Sequence, residues 1–246
     1  MYKTYTEPLE LRACSCDMRG RWKPGAILAA MQETAAVHSA RLGLGRAAMD
    51  EMNLAWVLTR VKVEFSRLPV CGERLRIETY PTPNRHLFFP RSHVFYDMTG
   101  AQIGCANSLW VTMDLTTRRI ETSKSVLSRM PDNRDLSPAA GMPASVRALD
   151  AEISRGTVAP QFSDLDMNLH VKHTKYMDWC ANALGLGILK EQAVTAFDVN
   201  YDMEILPGCE ISTELTVKDG QFAFLGFSAG GKKHFGVSGT LTKDES

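Results

Sequence analysis

The order of predicted secondary-structure elements repeats once along the chain, and this repeat restricts the folds that the sequence can adopt. A first helix is predicted at 24–42, because Pro24 occupies its first turn and Gly43 follows its end. Apolar or alternating runs then predict antiparallel strands at 54–65, 73–80, 86–96 and 103–113. The same order recurs with a helix at about 174–184 and strands near 194–205, 209–218, 221–229 and 233–242. One long helix against an antiparallel sheet, present twice, predicts an α+β fold.

Short sequence matches place the two copies in register. The dipeptide Asp-Met occurs at 17–18 and at 166–167, an offset of 149 residues (166 − 17). The pattern Val-x-aromatic followed by glycine ends at Gly72 and at Gly208, an offset of 136 residues (208 − 72). The two offsets differ by 13 residues (149 − 136), which indicates a longer helix and loop in the first copy. Chance agreement between two short patterns is the alternative interpretation.

A linker is predicted between the two copies, at 129–150. This stretch has few apolar residues and contains Pro131, Pro138, Gly141 and Pro143. We therefore expect an N-terminal domain at 1–128 and a C-terminal domain at 151–246.

Composition excludes several classes of protein. The 28 Lys and Arg residues balance 28 Asp and Glu residues, so the basic footprint of a nucleic-acid-binding protein is missing. None of the six cysteines forms a CxxC pair, which favours reduced thiols in the cytoplasm. No apolar run reaches the roughly 18 residues that span a membrane, and the N-terminus lacks the apolar segment of a signal peptide. We therefore expect a cytoplasmic protein without nucleic-acid or membrane partners.

Three polar residues at alternate positions precede the second helix. Asp166, Asn168 and His170 would project from one side of an extended backbone. The helix begins with unpaired N–H groups near His173 and Thr174, which carry partial positive charge and suit a developing oxyanion. A carboxylate, a carboxamide and an imidazole beside such a helix end predict a hydrolytic site.

Structural roles for these residues are the alternatives. Asp166 could cap the approach to the helix. His170 and His173 could be loop histidines or a metal pair, but no third ligand occurs at a useful spacing, so no metal is expected. The first copy has Arg19 and Arg21 where the second has the carboxamide and the imidazole. Only the second copy therefore keeps the polar set.

The motif of the second copy resembles that of a known family. The sequence Asp-Leu-Asp-Met-Asn-x-His-Val at 164–171, with Tyr176 and Trp179, is similar to the signature of the acyl-ACP thioesterases, where ACP is acyl carrier protein. Segments 56–60 and 108–119 resemble parts of that family's first domain. The resemblance implies a tandem, or double, hotdog fold, with a long central helix wrapped by an antiparallel β-sheet in each domain. It also implies hydrolysis of fatty acyl-ACP to free fatty acid and ACP, without metal or organic cofactor.

The resemblance adds a fourth member to the candidate catalytic set. The family has an acid 34 residues beyond its histidine, and this spacing reaches Glu204 (170 + 34). From the strand pattern alone, Glu204 could instead lie on a solvated polar face. We hypothesise that Glu204 or Asp166 orients and deprotonates water, while His170 shares the proton transfer. Asn168 would polarise the carbonyl group or hold the water. Many relatives have a cysteine after the acid, but this chain has Ile205, which excludes a Cys nucleophile there.

The first domain is expected, by the same resemblance, to accommodate the acyl chain. Candidates for contact with the acyl chain are Met31, Ala35, Met49 and Met52. Arg19 and Arg21 are candidates for contact with the acidic carrier protein, with ordinary surface positions as the alternative.

Other functions stay open at the level of sequence. An acyl-CoA thioesterase of the same fold, a hotdog hydratase or dehydratase, and a non-catalytic acyl- or lipid-binding module are the alternatives. The internal repeat supplies a pseudo-dimer, so both a monomer and a homodimer are compatible with the sequence. Chain-length preference depends on a few side chains whose positions the sequence does not reveal.

Overall fold

The structure is a computed structural model that describes residues 2–243. Its strands belong to one antiparallel sheet. The eleven strands are β1 (Tyr5–Glu10), β2 (Leu54–Phe65), β3 (Arg74–Pro81), β4 (Phe89–Asp97), β5 (Gln102–Asp114), β6 (Ile120–Glu121), β7 (Ile153–Val158), β8 (Gln192–Tyr201), β9 (Ile211–Lys218), β10 (Gln221–Phe227) and β11 (Lys233–Lys243). The helices are α1 (Pro24–Arg41), α2 (Arg46–Glu51), α3 (Lys124–Leu127) and α4 (Lys175–Glu191). The order across the sheet is β1-β3-β4-β5-β2-β8-β11-β10-β9-β7, and β6 pairs with β5.

The predicted elements are present, with two differences that affect the site. The first helix and the four strands after it lie within three residues of their predicted bounds. The second helix continues past 184, because Gly185 (φ 79°) interrupts it only locally and helical turns resume up to Glu191. The strand predicted at 194–205 is β8, which ends at Tyr201. The prediction that places Glu204 on this strand is therefore wrong, and Glu204 lies in the loop that follows.

A pseudo-twofold axis relates the two copies at the centre of the sheet. In the antiparallel pairing of β2 with β8, Val61 lies opposite Val199 and Val63 lies opposite Phe197. At the offset of 136, Val61 corresponds to Phe197 and Val63 corresponds to Val199 (197 − 61 and 199 − 63). Exchanging the two copies therefore turns the first of these pairs into the second. The strand order is also symmetric about β2 and β8. The repeat predicted from the sequence is therefore confirmed.

The two long helices pack against each other and against the sheet. Ile27 and Met31 of α1 and Tyr176 of α4 belong to one large apolar core that includes residues of both copies. Burial of each such side chain contributes about 1.5–3 kcal/mol to folding. Gly25 favours close approach of the helices, because a Cβ atom there would press on the carboxylate of Asp178 and lie 3.2 Å from the carbonyl oxygen of Thr174.

The segment at 129–150 contains no helix or strand and lies along the face of β8 opposite the core. Asp198 Oδ1 accepts a hydrogen bond from the N–H of Ala144 at 2.9 Å. Asn200 accepts from the N–H of Val146 at 2.8 Å and donates to the carbonyl of Ala144 at 2.8 Å. The polar face of β8 is therefore not a solvated face, because it binds the backbone of the segment between the copies.

The connection from helix to strand differs between the copies. Residues 42–53, which include α2, lie between α1 and β2, whereas α4 leads directly into β8 at Gln192. The 13-residue difference between the sequence offsets (149 − 136) is thus explained by α2 and its flanking loops. These residues form one wall of the cavity at the candidate site.

Candidate active site

Asp166, Asn168 and His170 lie in a tight turn, so the prediction of an extended backbone is wrong. Oδ1 of Asp166 accepts hydrogen bonds from the N–H groups of Asn168 at 2.8 Å and His170 at 3.1 Å. The N–H of Asp166 donates to the carbonyl of His170 at 2.8 Å. Leu169 adopts a left-handed conformation with φ 60°. The turn forms because a short aspartate side chain satisfies two backbone donors that an extended strand would leave unpaired.

The first copy builds the same turn without the carboxamide and the imidazole. Oδ1 of Asp17 accepts from the N–H groups of Arg19 at 2.8 Å and Arg21 at 2.9 Å. Its N–H donates to the carbonyl of Arg21 at 2.8 Å, and Gly20 has φ 74°. An aspartate therefore organises the backbone at both equivalent positions, whatever side chains the turn presents.

The turn of the first copy is covered by the end of α4. Arg21 is 6% exposed, and its Nη2 donates to the carbonyl of Leu189 at 3.0 Å. Nη1 of Arg19 donates to the carbonyl of Lys190 at 2.9 Å. Cations at the last carbonyls of a helix stabilise its C-terminus. The expectation that Arg21 contacts a carrier protein is therefore wrong, because this side chain is buried within the chain.

The loop after β8 brings Glu204 to the turn of the second copy. Oε2 of Glu204 lies 3.4 Å from Nε2 of His170. The loop is held on two sides: the N–H of Val171 donates to the carbonyl of Ile205 at 3.0 Å, and Nδ1 of His234 lies 3.2 Å from the carbonyl of Glu204. The carboxylate and the imidazole are partly exposed, so both are open to solvent and to a ligand.

Two arginines of the first copy reach this site, and sequence reasoning missed both. Nη2 of Arg118 donates to Oε2 of Glu204 at 2.6 Å. Nη2 of Arg46, in the first turn of α2, donates to Oδ1 of Asn168 at 3.4 Å. The segment around Arg118 belongs to the family-like stretch of the first domain, but no sequence spacing connects it to a carboxylate 86 residues away. The site is therefore assembled from both copies.

The four predicted polar residues open onto one cavity of about 920 Å³. Its wall from the second copy includes Asp166, Asn168, His170 and Glu204. The wall from the first copy is formed by α1, by α2 with its flanking loop, and by strands β2, β4 and β5. Its apolar side chains include Leu44, Leu54, Trp56, Phe89 and Trp110. A large concave site with an apolar wall and a few convergent polar groups is typical of a small-molecule pocket.

The predicted acyl-chain residues divide into two groups. Ala35 and Met49 line the large cavity. Met31 lines a small adjacent cavity of about 10 Å³, which is about the size of one water probe. Met52 lines neither cavity; it packs on the smaller apolar cluster beneath α2, with its Sδ 3.2 Å from Oγ of Ser125.

The segment before α4 reaches the same cavity through His173. His173 lines it, and within residues 2–243 the N–H groups of His173 and Thr174 have no protein acceptor. Burial lowers the pKa of His173 to about 4, so its imidazole is neutral near pH 7. Among the described residues no group of three or more metal-ligating side chains occurs. No helix within residues 2–243 is long and apolar enough to cross a membrane.

Comparison with family models decides the relationship. The model described as the acyl-ACP thioesterase N-terminal domain matches residues 2–127, and the C-terminal domain model matches residues 148–233. The chain belongs to the acyl-ACP thioesterase family.

Individual relatives agree with this membership. A chloroplastic palmitoyl-acyl carrier protein thioesterase of Arabidopsis thaliana is 28% identical over 77% of this chain and 52% of its own length. A chloroplastic dodecanoyl-[acyl-carrier-protein] hydrolase of Cinnamomum camphora is 25% identical over 79% of this chain and 54% of its own length. The chain thus spans about half the length of the curated relatives it matches.

Solved structures identify the fold. An acyl-ACP thioesterase from Bacteroides thetaiotaomicron superposes with a TM-score of 0.87 at 22% identity, covering 97% of this chain and 98% of that one. The 12:0-ACP thioesterase from Umbellularia californica has a TM-score of 0.84 at 21% identity, with 99% of each chain covered. The fold is the double hotdog that the resemblance predicted.

One departure from the family pattern has a structural explanation. Ile205, at the position where many family members have cysteine, is 0% exposed and belongs to the large apolar core. Its carbonyl binds the N–H of Val171, which fixes the loop that carries Glu204. The residue after the acid therefore packs and positions the loop in this chain.

Proposed function

We propose that the chain hydrolyses fatty acyl-ACP, releasing free fatty acid and ACP. The observation that carries the proposal is the approach of Glu204 to His170, at 3.4 Å, on the wall of a large cavity. A carboxylate and an imidazole at this separation can both contact one water beside them, which the carboxylate can deprotonate. Family membership supports acyl-ACP as the substrate.

The proposed mechanism uses water as the nucleophile. Glu204 removes a proton from water while the water oxygen attacks the thioester carbonyl carbon, and the carboxyl group then passes this proton to His170. The N–H groups of His173 and Thr174 stabilise the oxyanion, each such donor being worth roughly 3–4 kcal/mol in comparable sites. The tetrahedral intermediate then expels the thiolate of the carrier arm, which takes the proton from His170. Asn168 orients the water or the carbonyl group.

We assign the role of base to Glu204 and a positioning role to Asp166. One carboxylate oxygen of Asp166 already accepts two backbone hydrogen bonds. Asp17 makes the same two bonds in the copy that lacks the imidazole and the carboxamide. Because the aspartate makes these bonds in both copies, and the first copy lacks the other polar residues, we assign its role to holding the backbone of the turn. Glu204, by contrast, has Leu68 as its counterpart (204 − 136).

The two copies have different roles in the proposed function. We propose that residues 1–128 accommodate the acyl chain and are catalytically degenerate, that 129–150 link the domains, and that 151–246 carry the catalytic groups. Ala35 and Met49 on the cavity wall support the first assignment. A cytoplasmic location and the choice between monomer and homodimer stay predictions.

The experiment measures release of free fatty acid from acyl-ACPs of increasing chain length, and from the matching acyl-CoAs. We expect turnover on ACP substrates with a higher kcat/KM than on CoA substrates. Glu204→Gln removes the base and should abolish turnover, whereas Glu210→Gln, at an exposed position of the same loop, should retain it. A higher kcat/KM on CoA would favour the acyl-CoA thioesterase. Tight acyl-ACP binding without release would favour the lipid-binding module.

A further inference from the structure

A buried arginine without a counter-anion lies between α1 and β4. Arg91 is 8% exposed, and its guanidinium donates to three neutral acceptors: Nδ1 of His38 at 3.1 Å, Oγ1 of Thr79 at 3.3 Å and Oγ of Ser39 at 3.1 Å. Because arginine can only donate, Nδ1 of His38 is the acceptor and its Nε2 donates to the carbonyl of Tyr2 at 3.1 Å. No carboxylate within residues 2–243 forms an ion pair with this guanidinium.

Arg91 carries the positive charge of a buried polar cluster, which consists of His38, Ser39, Thr79, Arg91 and His93. Burial lowers its pKa to about 10, which leaves the guanidinium protonated near neutral pH. Burial and the neighbouring guanidinium lower the pKa of His38 to about 4 and of His93 to about 3, so both imidazoles are neutral. An isolated charge away from water is costly unless an anion pairs with it. The fold therefore maintains a cation that its own residues do not neutralise.

The hydrogen bonds of the cluster are also incomplete. A guanidinium has five N–H donors, and three bonds from Arg91 are formed within the described residues. His93 donates from Nε2 to the carbonyl of Met31 at 3.1 Å, while its buried Nδ1 has no partner in the part of the chain described. Two N–H donors of Arg91 and Nδ1 of His93 can therefore still form hydrogen bonds with a group that residues 2–243 do not supply.

This cluster shares the cavity of the catalytic candidates. Arg91 and Ser39 line the same space as His170 and Glu204, and the strands between β4 and β8 contribute apolar lining residues such as Trp110 and Leu58. Arg91 is on β4, three strands from β8, whose following loop carries Glu204. At about 4.8 Å per strand, the two ends are roughly 14 Å apart. The cavity is therefore polar at its catalytic end, apolar in the middle and cationic at the far end.

We infer that the Arg91 end of the cavity binds an oxygen function on the distal end of the acyl chain, with a carboxylate preferred. This inference rests on the proposed function and names its substrate class: acyl thioesters that carry a carboxylate, or secondarily a hydroxyl, far from the thioester. A carboxylate neutralises the buried guanidinium and accepts its two remaining N–H donors. A plain methyl terminus would pack against a desolvated cation and leave those donors unpaired.

The alternative is that Arg91 only ties α1 to the sheet through His38 and Ser39. In that case the distal end of the substrate would not matter to the rate, and plain chains would be hydrolysed as well as oxygenated ones. Substrate preference therefore separates a binding role from a purely structural one.

The test uses three acyl-ACPs of equal chain length with a methyl, a hydroxyl or a carboxylate group at the distal carbon. We expect the wild-type chain to show kcat/KM at least about tenfold higher for the carboxylate than for the methyl substrate, as hydrogen bonds to a charged group predict. Arg91→Met should reverse the order. Arg147→Met, at an exposed position of the linker, should keep the wild-type ratio.

Ratios within one protein cancel differences in the amount of folded enzyme. If Arg91→Met does not fold, Arg91→Lys, which keeps the charge but removes the planar set of N–H donors, should still lower the carboxylate-to-methyl ratio by a few-fold. Equal rates or a preference for methyl in the wild-type chain would overturn the inference. If none of the three substrates is hydrolysed, the proposed function fails, and the same comparison is made on dissociation constants from calorimetric titration. A carboxylate preference in binding then supports the inference, and its absence overturns it.

Discussion

The turns at Asp17 and Asp166 have the same backbone hydrogen bonds, yet one is sealed and the other faces a cavity. The turn of the first copy is covered by the second copy, because α4 leads directly into β8 and its last carbonyls accept hydrogen bonds from Arg19 and Arg21. The turn of the second copy faces the first copy, where residues 42–53 separate α1 from β2 and line the cavity beside His170. The backbone of the turn therefore does not depend on which side chains the turn presents. A short insertion between helix and strand decides which turn can reach a substrate.

We expect the largest effect from alanine substitution at the equivalent position of the two turns, His170 in the second copy and Arg21 in the first. His170→Ala should lower kcat by about 10²- to 10⁴-fold, the range for removal of a general acid–base group. Arg21→Ala should leave kcat unchanged and lower the free energy of unfolding by about 1–3 kcal/mol, because buried hydrogen bonds are lost. Acyl-ACP kinetics and urea unfolding of both variants measure the two effects. A fall in kcat for Arg21→Ala comparable to that for His170→Ala would contradict the division between the copies.

Acid should destabilise the first copy more than the second, because burial lowers the pKa of two histidines in the first copy, His38 and His93, and of one in the second, His173. His93, in the first copy, has a pKa lowered to about 3, mainly by burial and further by Arg91, while an unfolded histidine has a pKa of about 6.5. The unfolded state therefore binds more protons between these values. Stability is complete above about pH 6.5 and falls as the pH drops, by about 3 kcal/mol at pH 4.5 and by roughly 4–5 kcal/mol at pH 3 for one such histidine.

The measurement for this effect is urea unfolding at pH 7 and at pH 4.5. His93→Gln should flatten the pH dependence, whereas His86→Gln, in an exposed loop, should leave it as in the wild-type chain. An unchanged slope in the His93 variant would mean that other groups dominate acid unfolding.

Asp166 offers a sharper comparison, because its counterpart Asp17 has the same backbone contacts. Asp166→Asn keeps an acceptor oxygen for the two N–H groups, so we expect no more than about a tenfold loss of kcat/KM. Asp166→Ala removes the acceptor and should cost about 100-fold. Asp17→Ala should lower stability by about 1–2 kcal/mol with little effect on rate. Should Asp166→Asn prove as inactive as Glu204→Gln, the base would have to be reassigned to Asp166.

The smallest expected effect concerns the contact between copies at Glu204. Arg118→Met removes the 2.6 Å hydrogen bond to its carboxylate and should lower kcat about tenfold with little change in KM, because the base is then poorly positioned. Arg118→Lys should restore part of the rate. Arg119→Met, the exposed neighbour, is the control. A rise in KM with unchanged kcat would instead place Arg118 in substrate binding.

Most of the fold could be predicted because its signals are local. Helix ends at Pro24 and Gly43 follow from the conformations that proline and glycine prefer, and alternating apolar residues indicate strands. The turn at Asp166 was missed because alternation suggests an extended strand, whereas the aspartate side chain competes for the backbone donors. Glu204 was found by a family spacing, although the strand that was expected to present it ends three residues earlier, at Tyr201.

By itself, the sequence determined the duplicated unit, the residue types of the candidate site and the loss of those types from the first copy. Each of these depends on short-range periodicity or on an offset between two segments of the chain. Only the tertiary structure decided that Arg118 and Arg46 of the first copy contact Glu204 and Asn168 of the second. It also revealed that Arg91 is buried on the wall of the same cavity and forms no ion pair with a carboxylate among residues 2–243. Such contacts join residues that are 86 and 122 positions apart, and their existence depends on how two packed copies share one sheet.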